Sequence, residues 1–408
     1  MKLLYISAYA PYDGILHAGG KTHNYYLKEL AKKFEIKLIT YVQDFEANKM
    51  DLDRYGIDHK YIFYPNTIFG KVKNKWSRIN PLNRYGGFIP CFFEKEMNNT
   101  LIDLFQCGYK PDLIILEWTE ILVLLPIIKK YYSNIPVFTI EVDVAFLGKE
   151  RIANKYTSKI AKRIAQIKYQ KIKKNELDNL KIVDKIFTNN EKDKAILESY
   201  GFGDSKIDIL TPYYDDYSKC QYRPANKNIL FFGAMNRSEN SESVLWFIDN
   251  VMPLLDEDFT FVVVGNHPTK EVLKKQSKRV LVTGFVNDVG PYFENSLCFV
   301  SPLILGAGVK VKVIEALSSG IPVICNQVSI EGINAIDKKD YIHCENAEEY
   351  AKAIKKVYED SEFAHTIGLN GKKLISENYS YEKDCSKLNE LIRRTNKTQQ
   401  ANQGAIDF

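Results

Sequence analysis

A short loop rich in glycine carries the residues with the clearest chemical potential. Gly306 and Gly308 stand just before apolar residues with helical spacing, so the pattern predicts a helix that begins after the loop. Unpaired backbone N–H groups and the positive end of the helix dipole bind anions at such a terminus. Glycine lets an anion such as a diphosphate approach the backbone closely. The loop is therefore a candidate anion-binding site.

Charged groups follow the glycines in the same segment. Lys310 and Lys312 place positive charge beside the expected anion, and Glu315 offers a carboxylate that can accept two ribose hydroxyls. Gly308 and Val309 form the junction between loop and helix. The pattern favours a site for a nucleoside diphosphate. The alternative is that Lys312 and Glu315 form an exposed ion pair on a surface helix.

This stretch resembles the donor site of glycosyltransferase family 4. The similar residues run from Leu305 to Ile324 and continue with Glu331 and Gly332. The resemblance is strong from Ile229 to Ile333 and loose before that. It implies an α/β chain with the GT-B fold, in which two doubly wound Rossmann-like domains face a central cleft. It also implies transfer of a sugar from a nucleotide diphosphate sugar to a hydroxyl acceptor, with retention at the anomeric carbon.

The resemblance assigns roles to residues elsewhere in the chain. Arg237, which follows the predicted strand ending at Gly233, would neutralise the diphosphate leaving group, and Val286 lies in a loop whose backbone contacts the base. The glycine pair Gly19 and Gly20 would let the backbone approach the donor phosphates or the acceptor. The implied donor contacts are Gly20, Gly233, Arg237, Val286, Gly308, Val309, Lys310, Lys312 and Glu315. The implied catalytic residues are Asp143, Arg237 and Lys312.

Several positions depart from the family pattern. Val142 stands where a histidine commonly precedes Asp143, and Ala307 stands where the first of two paired glutamates is often found. Ile304 replaces a frequent arginine, and Asn240 a frequent lysine. These departures put the identity of the donor sugar in doubt. They also support the alternative of a non-catalytic GT-B subunit that binds a glycan or a protein partner.

The first half of the chain alternates short apolar runs with helical segments. This alternation predicts a parallel sheet whose ligands sit at the carboxyl ends of the strands. Polar residues follow two of the predicted strands, namely Glu117 with Glu120, and Asp143. The candidates on the acceptor side are Gly19, Glu117 and Glu120.

Composition sets the remaining expectations. With 408 residues, of which 45% are hydrophobic, the chain has room for two domains, and a net charge of +5 indicates no nucleic-acid partner. Seven scattered cysteines without a CxxC pair predict reduced thiols in the cytoplasm and no zinc. The resemblance implies no cofactor beyond the donor substrate. Two Asp-x-Asp sequences fall in surface connections, which predicts transfer without a metal. The predicted parts are an acceptor domain at 1–212, a donor domain at 213–380, a helix crossing back at 381–394, and a disordered tail at 395–408.

One segment is unusually basic. Residues 148–176 contain ten Lys or Arg against two acids, and isoleucines recur at helical spacing. The pattern predicts one or two basic amphipathic helices. Either they pack on the core with a solvated face, or they bind an anionic membrane from Lys149 to Lys174, helped by Lys71 to Lys75 and Trp76.

Overall fold

The computed structural model describes residues 1–15, 17–65, 67–80, 82–89, 91–306 and 308–406. Internal contacts divide the chain into two compact units. The first contains Met1–Ile15, Gly19–Leu210 and the last helix from Glu382 onward, and the second contains His17–Ala18 and Thr211–Tyr381. Each unit is built on its own parallel sheet.

The first sheet has seven parallel strands in the order β3-β2-β1-β4-β5-β6-β7. The strands are β1 (Lys2–Ser7), β2 (Glu35–Val42), β3 (Asp58–Phe63), β4 (Leu113–Glu117), β5 (Val137–Glu141), β6 (Lys185–Thr188) and β7 (Ile207–Ile209). Their central members are buried on both faces, as expected for a parallel sheet covered by helices. The strand order reverses between β1 and β4, so the carboxyl ends of these two strands form the switch point at which such sheets bind ligands.

Eight helices connect these strands. They are α1 (Ala18–Ala31), α2 (Asp44–Ala47), α3 (Ile68–Ile79), α4 (Cys91–Gln106), α5 (Leu125–Tyr131), α6 (Ala145–Lys155), α7 (Lys159–Leu180) and α8 (Glu191–Ser199). The basic segment forms two helices, because the backbone at Tyr156 and Ser158 is extended. Side chains cap several starts; the Asn190 side chain, for example, accepts the N–H of Asp193 at 2.8 Å.

The second sheet has six parallel strands in the order β10-β9-β8-β11-β12-β13. The strands are β8 (Asn228–Phe232), β9 (Thr260–Val264), β10 (Val280–Gly284), β11 (Cys298–Ser301), β12 (Val323–Cys325) and β13 (Ile342–His343). The switch point of this sheet lies between β8 and β11. Among the predicted donor residues, Gly233 and Arg237 lie in the loop after β8, and Gly308, Val309 and Lys310 lie in the loop after β11.

Seven helices surround the second sheet. They are α9 (Ser238–Asn250), α10 (Lys270–Lys274), α11 (Gly290–Asn295), α12 (Val311–Ser319), α13 (Gln327–Ile330), α14 (Ala347–Glu359) and α15 (Ser361–Asn378). Helix α12 ends before Gly320, whose φ of 85° provides a left-handed C-cap. α12 lies close against α15, because a Cβ at Gly371 would meet the Leu317 side chain at 2.7 Å.

The final helix, α16 (Tyr381–Ile406), is longer than predicted. The sequence analysis ended it at Arg394 and expected disorder from 395 to 408, but the described chain stays helical to Ile406. The polar residues after 394 include no proline and several good helix formers, so the polarity that suggested disorder does not prevent a helix. Residues 407 and 408 lie outside the described residues.

None of the helices in the described ranges is long and apolar enough to cross a membrane. The longest, α16, has 26 residues but is polar along most of its length.

Candidate functional site

The glycine loop before α12 turns the chain directly into the helix. Gly308 has a φ of 69°, in the left-handed region that glycine adopts without strain. Lys310 is the residue that caps α12, and its Nζ donates to the Gly308 carbonyl at 2.5 Å. The Val309 side chain is half-buried. Ala307, the position at which a family glutamate is missing, lies outside the described residues.

Lys312 points to the loop that follows β8. Its Nζ donates to Asn240 Oδ1 at 2.6 Å and lies 4.3 Å from the centre of the Phe231 ring. Burial lowers the pKa of Lys312 to about 7; Glu239 opposes this effect and Lys310 reinforces it. Asn240 stands where relatives often have a lysine, so the structure brings the Lys312 ammonium to a position beside it.

The loop after β8 also contains Arg237 and Gly233. Arg237 is exposed at the start of α9, and its Nε lies 2.5 Å from Glu239 Oε1. A Cβ at Gly233 would meet Asn240 Nδ2 at 2.8 Å, so glycine makes room for the asparagine. Asn240 in turn donates to the Ala234 carbonyl at 2.8 Å. Because Gly233 has no side chain, Asn240 packs closely against it. This packing holds Asn240 Oδ1 where it accepts the hydrogen bond from Lys312.

Glu315 is 5% exposed, so the interpretation of an exposed surface ion pair is wrong. Its Oε1 accepts the backbone N–H of Asp215 at 3.2 Å. One turn later, Ser318 Oγ accepts the N–H of Tyr217 at 3.2 Å. The segment after the first unit thus lies along α12 and holds the carboxylate in place.

Val286 lies between β10 and α11 and is half-buried against the apolar cluster of the second unit. The strand before it ends at Gly284, whose φ of 72° turns the chain. Val286 thus follows β10, the strand at the edge of this sheet, whereas the Arg237 loop follows the more central β8.

In the first unit, Glu117 lies at the carboxyl end of β4, beside the switch point. It is fully buried and accepts a hydrogen bond from the Tyr5 hydroxyl at 2.5 Å and one from His23 Nδ1. Burial, reinforced by Glu117, raises the pKa of Tyr5 well above its usual value. Glu117 Oε1 and His23 Nε2 have no hydrogen-bond partner within the part of the chain that the structure describes.

His23 lies on the buried side of α1, which begins at Ala18. The glycine pair lies in the first turn of this helix, with Gly20 buried. The contact between His23 and Glu117 could not be predicted from local spacing, because the two residues come from different elements, α1 and β4.

Gly19 is in contact with a strained tryptophan. Trp118 follows β4 with a φ of 80°, which a bulky residue rarely adopts. A Cβ at Gly19 would meet Trp118 Cη2 at 2.3 Å, and the indole also packs edge-on against Tyr9 at 4.5 Å. Glycine at position 19 therefore makes room for the indole ring.

A group of carboxylates follows β4 and β5. Burial raises the pKa of Glu141 to about 8, and the Thr119 hydroxyl donates to it. Asp143 is half-buried next to this group, and its carbonyl accepts from Thr119 at 3.4 Å. Glu176 accepts the N–H groups of the first two residues of α6 at 3.1 Å each, so it caps that helix. Burial also raises the pKa of Glu176 well above its usual value.

Glu120 lines a pocket in the first unit. Burial raises its pKa to about 7, and the neighbouring Asp143 adds to the shift. Tyrosine and phenylalanine rings dominate the walls, and Arg78 of α3 brings one cation; the lining includes Tyr9, Tyr41, Tyr64, Arg78, Phe88 and Phe93. Aromatic walls with a few polar groups are typical of small-molecule sites. Sequence reasoning missed this pocket because its residues come from six separate segments.

Comparisons with known proteins identify the architecture. HepE of Anabaena, solved in complex with UDP, matches 97% of this chain and 100% of that chain with a TM-score of 0.66 and 14% identity. The protein has the GT-B fold. Each of the two parallel sheets, with its own switch point, corresponds to one of the two Rossmann-like domains expected for the GT-B fold.

The part of the chain that matches a known family lies in the second unit. Residues 226–360 match the family described as glycosyl transferases group 1. This range includes Arg237, Val286, Lys312 and Glu315.

Two curated relatives are distant. An uncharacterized glycosyltransferase of Methanocaldococcus jannaschii is 22% identical over 88% of this chain and 94% of that protein. An uncharacterized 44.6 kDa protein from the cps region of Klebsiella pneumoniae is 24% identical over 48% of this chain; the match spans about half, 53%, of that relative. Together, these findings support a glycosyltransferase with a nucleotide-sugar donor.

Proposed function

We propose that this protein is a retaining glycosyltransferase of family 4, which moves a sugar from a nucleotide diphosphate sugar to a hydroxyl group of a glycan or glycoconjugate. The observation that carries the proposal is the arrangement on α12. The amino terminus of this helix, Lys312 held at Asn240, and the buried Glu315 lie on one nine-residue element.

The donor would bind at the start of α12. Its diphosphate meets the N–H groups at the amino terminus of the helix and the ammonium groups of Lys310 and Lys312. Arg237 is exposed and adds a second source of positive charge. The Glu315 carboxylate accepts the ribose hydroxyls. The structure of HepE with UDP makes uridine nucleotides the first donors to test.

Transfer then breaks the bond between the anomeric carbon and the diphosphate oxygen, and forms a bond between that carbon and the acceptor oxygen. The acceptor proton passes to the departing diphosphate on the same face, which retains the configuration. The side chains contribute by stabilising negative charge on the leaving group and by orienting the acceptor. No protein nucleophile is required.

On the acceptor side, the proposal favours Glu120 and Asp143 over Glu117. Glu117 is held inside the first unit by Tyr5 and His23, whereas Glu120 lines the aromatic pocket. With a pKa of about 7, Glu120 exchanges a proton near neutral pH and can either donate to or accept from a sugar hydroxyl. Gly19 supports this side through the packing of Trp118.

Nucleotide release from a panel of nucleotide sugars tests the function. We expect the purified full-length protein to release nucleoside diphosphate from one donor, and Lys312→Ala to lower the rate at least tenfold. Product NMR should show retention of the anomeric configuration. We also propose that no metal or cofactor takes part and that the protein works in the cytoplasm, so excess chelator should leave the rate unchanged. Inversion, or loss of activity restored by Mg²⁺ or Mn²⁺, would contradict these parts of the proposal.

A second candidate function is a non-catalytic GT-B subunit. Val142, which replaces the family histidine, is half-buried, and its carbonyl accepts from Asn189 at 3.2 Å, so this position is part of the packed loop. A non-catalytic subunit would bind a nucleotide sugar or a glycan without release of nucleotide. A thermal-shift response without turnover in the presence of acceptor extracts would favour this second function.

A further inference from the structure

Helix α3 has its apolar side turned to solvent. Among its twelve residues, the exposed fractions are 84% for Ile68, 78% for Phe69, 60% for Val72, 65% for Trp76 and 54% for Ile79. At 100° per residue, these five side chains lie within an arc of about 100°. The helix thus has one continuous apolar face, and that face is not covered by the first unit.

The opposite face of α3 is polar and packs on the protein. Ser77 is the buried residue of the helix, and Asn83 Nδ2 donates to its carbonyl and to its hydroxyl at 3.1 Å each. A surface helix of a globular protein normally buries its apolar face and exposes its polar face. The orientation of α3 is the reverse, so a partner for the apolar face must lie outside the described chain.

The charges around this face select the partner. Residues 59–93 contain no Asp or Glu. The exposed cations in and just after α3 are Lys71, Lys73, Lys75, Arg78 and Arg84. The lysines flank the apolar stripe on both sides. A second copy of the chain would bring the same positive charges together, whereas an anionic surface would neutralise them.

The neighbouring helix α7 continues this character. Lys168 Nζ donates to the Arg78 carbonyl at 2.9 Å, so α7 is bound to the end of α3. The amino-terminal half of α7 exposes Ile160 to 76%, with Ile164 and Ile167 at 38% and 43%. The interpretation that the whole basic segment packs on the core is therefore wrong for this half, although Ile172 is buried.

We propose that α3 docks on an anionic lipid surface, with its apolar face inserted among the acyl chains and its lysines at the headgroups. The helix is about 18 Å long, which suits a position in the plane of the interface and not a span of the bilayer. Tryptophan and lysine are typical of this position. One alternative from the sequence was membrane contact at Lys149 to Lys174, helped by Lys71 to Lys75 and Trp76. The exposed apolar side chains make α3 the inserted element and leave α7 as a flanking basic surface.

Vesicle binding by the full-length protein tests this proposal. We expect cosedimentation with vesicles of phosphatidylcholine and phosphatidylglycerol, weaker binding to phosphatidylcholine alone, and a loss of binding at high salt because exposed charges are screened. Reversal of Lys71, Lys73 and Lys75 to Glu should weaken binding about a hundredfold. Phe69→Ser with Trp76→Ser should weaken it about as much, because the anchors lose their apolar surface.

Helix α10 offers a matched control. It exposes Leu273 to 46% and carries the exposed lysines 270 and 274. Leu273→Ser with Lys270→Glu and Lys274→Glu should leave vesicle binding unchanged. Circular dichroism and the thermal midpoint of unfolding show whether all variants are folded. We expect them to be folded, because the changed side chains are exposed.

Tryptophan fluorescence tests directly whether Trp76 inserts into the lipid. A variant with Trp118→Phe and Trp246→Phe keeps Trp76 as its one tryptophan, and we expect its emission to shift to shorter wavelength on anionic vesicles. An unshifted Trp76, equal binding to neutral and anionic vesicles, or loss of binding only after Lys159→Glu with Arg163→Glu would overturn the assignment to α3. A stable dimer that Trp76→Ser dissociates would replace lipid by a second copy of the chain.

Discussion

Lys312 is the residue at which the structure adds most to the sequence. Burial and the nearby Lys310 lower the pKa of Lys312. Asn240 Oδ1 accepts a hydrogen bond from Lys312 but carries no compensating negative charge. A neutral amine holds a diphosphate weakly. The bound diphosphate is expected to restore the charge, so that donor binding and protonation of Lys312 are linked.

This linkage predicts a pH dependence. At pH 8 the free protein holds Lys312 largely neutral, because its pKa is about 7. Nucleoside diphosphate binding should then take up about one proton, and the affinity should fall as pH rises above 7, by up to about tenfold per unit. Calorimetry in buffers of different ionisation enthalpy measures the uptake. In Lys312→Arg the cation cannot deprotonate, so an equal uptake in this variant would contradict the prediction.

A substitution at Glu315 distinguishes a role in nucleotide binding from a role in the stability of the fold. Glu315→Gln keeps one acceptor oxygen for the N–H of Asp215, so the free energy of unfolding should change by about 1 kcal/mol at most. The charge-assisted hydrogen bonds to the ribose are lost, so the nucleoside diphosphate affinity should fall about tenfold to a hundredfold. Calorimetry and urea unfolding measure the two quantities.

A matched control for this change exists in the same unit. Glu294 Oε1 accepts the N–H of Gln221 at 2.9 Å, but Glu294 belongs to α11 and lies outside the donor loops. Glu294→Gln should leave the affinity unchanged. If Glu315→Gln binds the nucleotide as tightly as the wild type, Glu315 is not part of the donor site.

At the scale of elements, the contact between α1 and the end of β4 gives a structural role to Gly19. Gly19→Ala would place its Cβ 2.3 Å from Trp118, and we expect it to destabilise the first unit by about 1–3 kcal/mol through overpacking. Gly203→Ala is the control, because an added Cβ there meets none of the described atoms within 4 Å. This control should be neutral or stabilising by up to about 1 kcal/mol. If Gly19→Ala and Gly203→Ala had equal free energies of unfolding, the packing role of Gly19 against Trp118 would be contradicted.

At the scale of the whole molecule, α16 completes the core of the first unit from the far end of the chain. Cys385, Leu388 and Ile392 are buried, and Lys387 Nζ lies 2.7 Å from Asp208 Oδ1. Truncation before Thr395 should change the free energy of unfolding by less than about 1 kcal/mol. Leu388→Ala should cost about 2–5 kcal/mol, and truncation before Glu382 should cost at least as much. Urea denaturation measures all three, and an intact stability after the longer truncation would contradict the assignment.

The sequence by itself was sufficient for the parts of the molecule that depend on local pattern. Strand β8, the glycine loop, helix α12 and its Gly320 cap follow from apolar periodicity and from glycine conformation, which act over a few neighbouring residues. The GT-B fold followed from the resemblance of the donor segment, which the comparisons confirm. The short edge strands β3, β7 and β13 were not predicted, because a short edge strand depends on its neighbour more than on its own composition.

Only the tertiary structure decided which distant side chains meet. Asn240 and Lys312 are 72 residues apart, and Glu117 and His23 are 94 apart, so no local spacing could have paired them. The same holds for the aromatic pocket. The outward apolar face of α3 is another case, because a helix on the surface of a globular protein normally packs its apolar side on the core. A hydrophobic stripe in a sequence predicts that one face of a helix is buried. Only the tertiary structure shows that the first unit does not cover this face of α3.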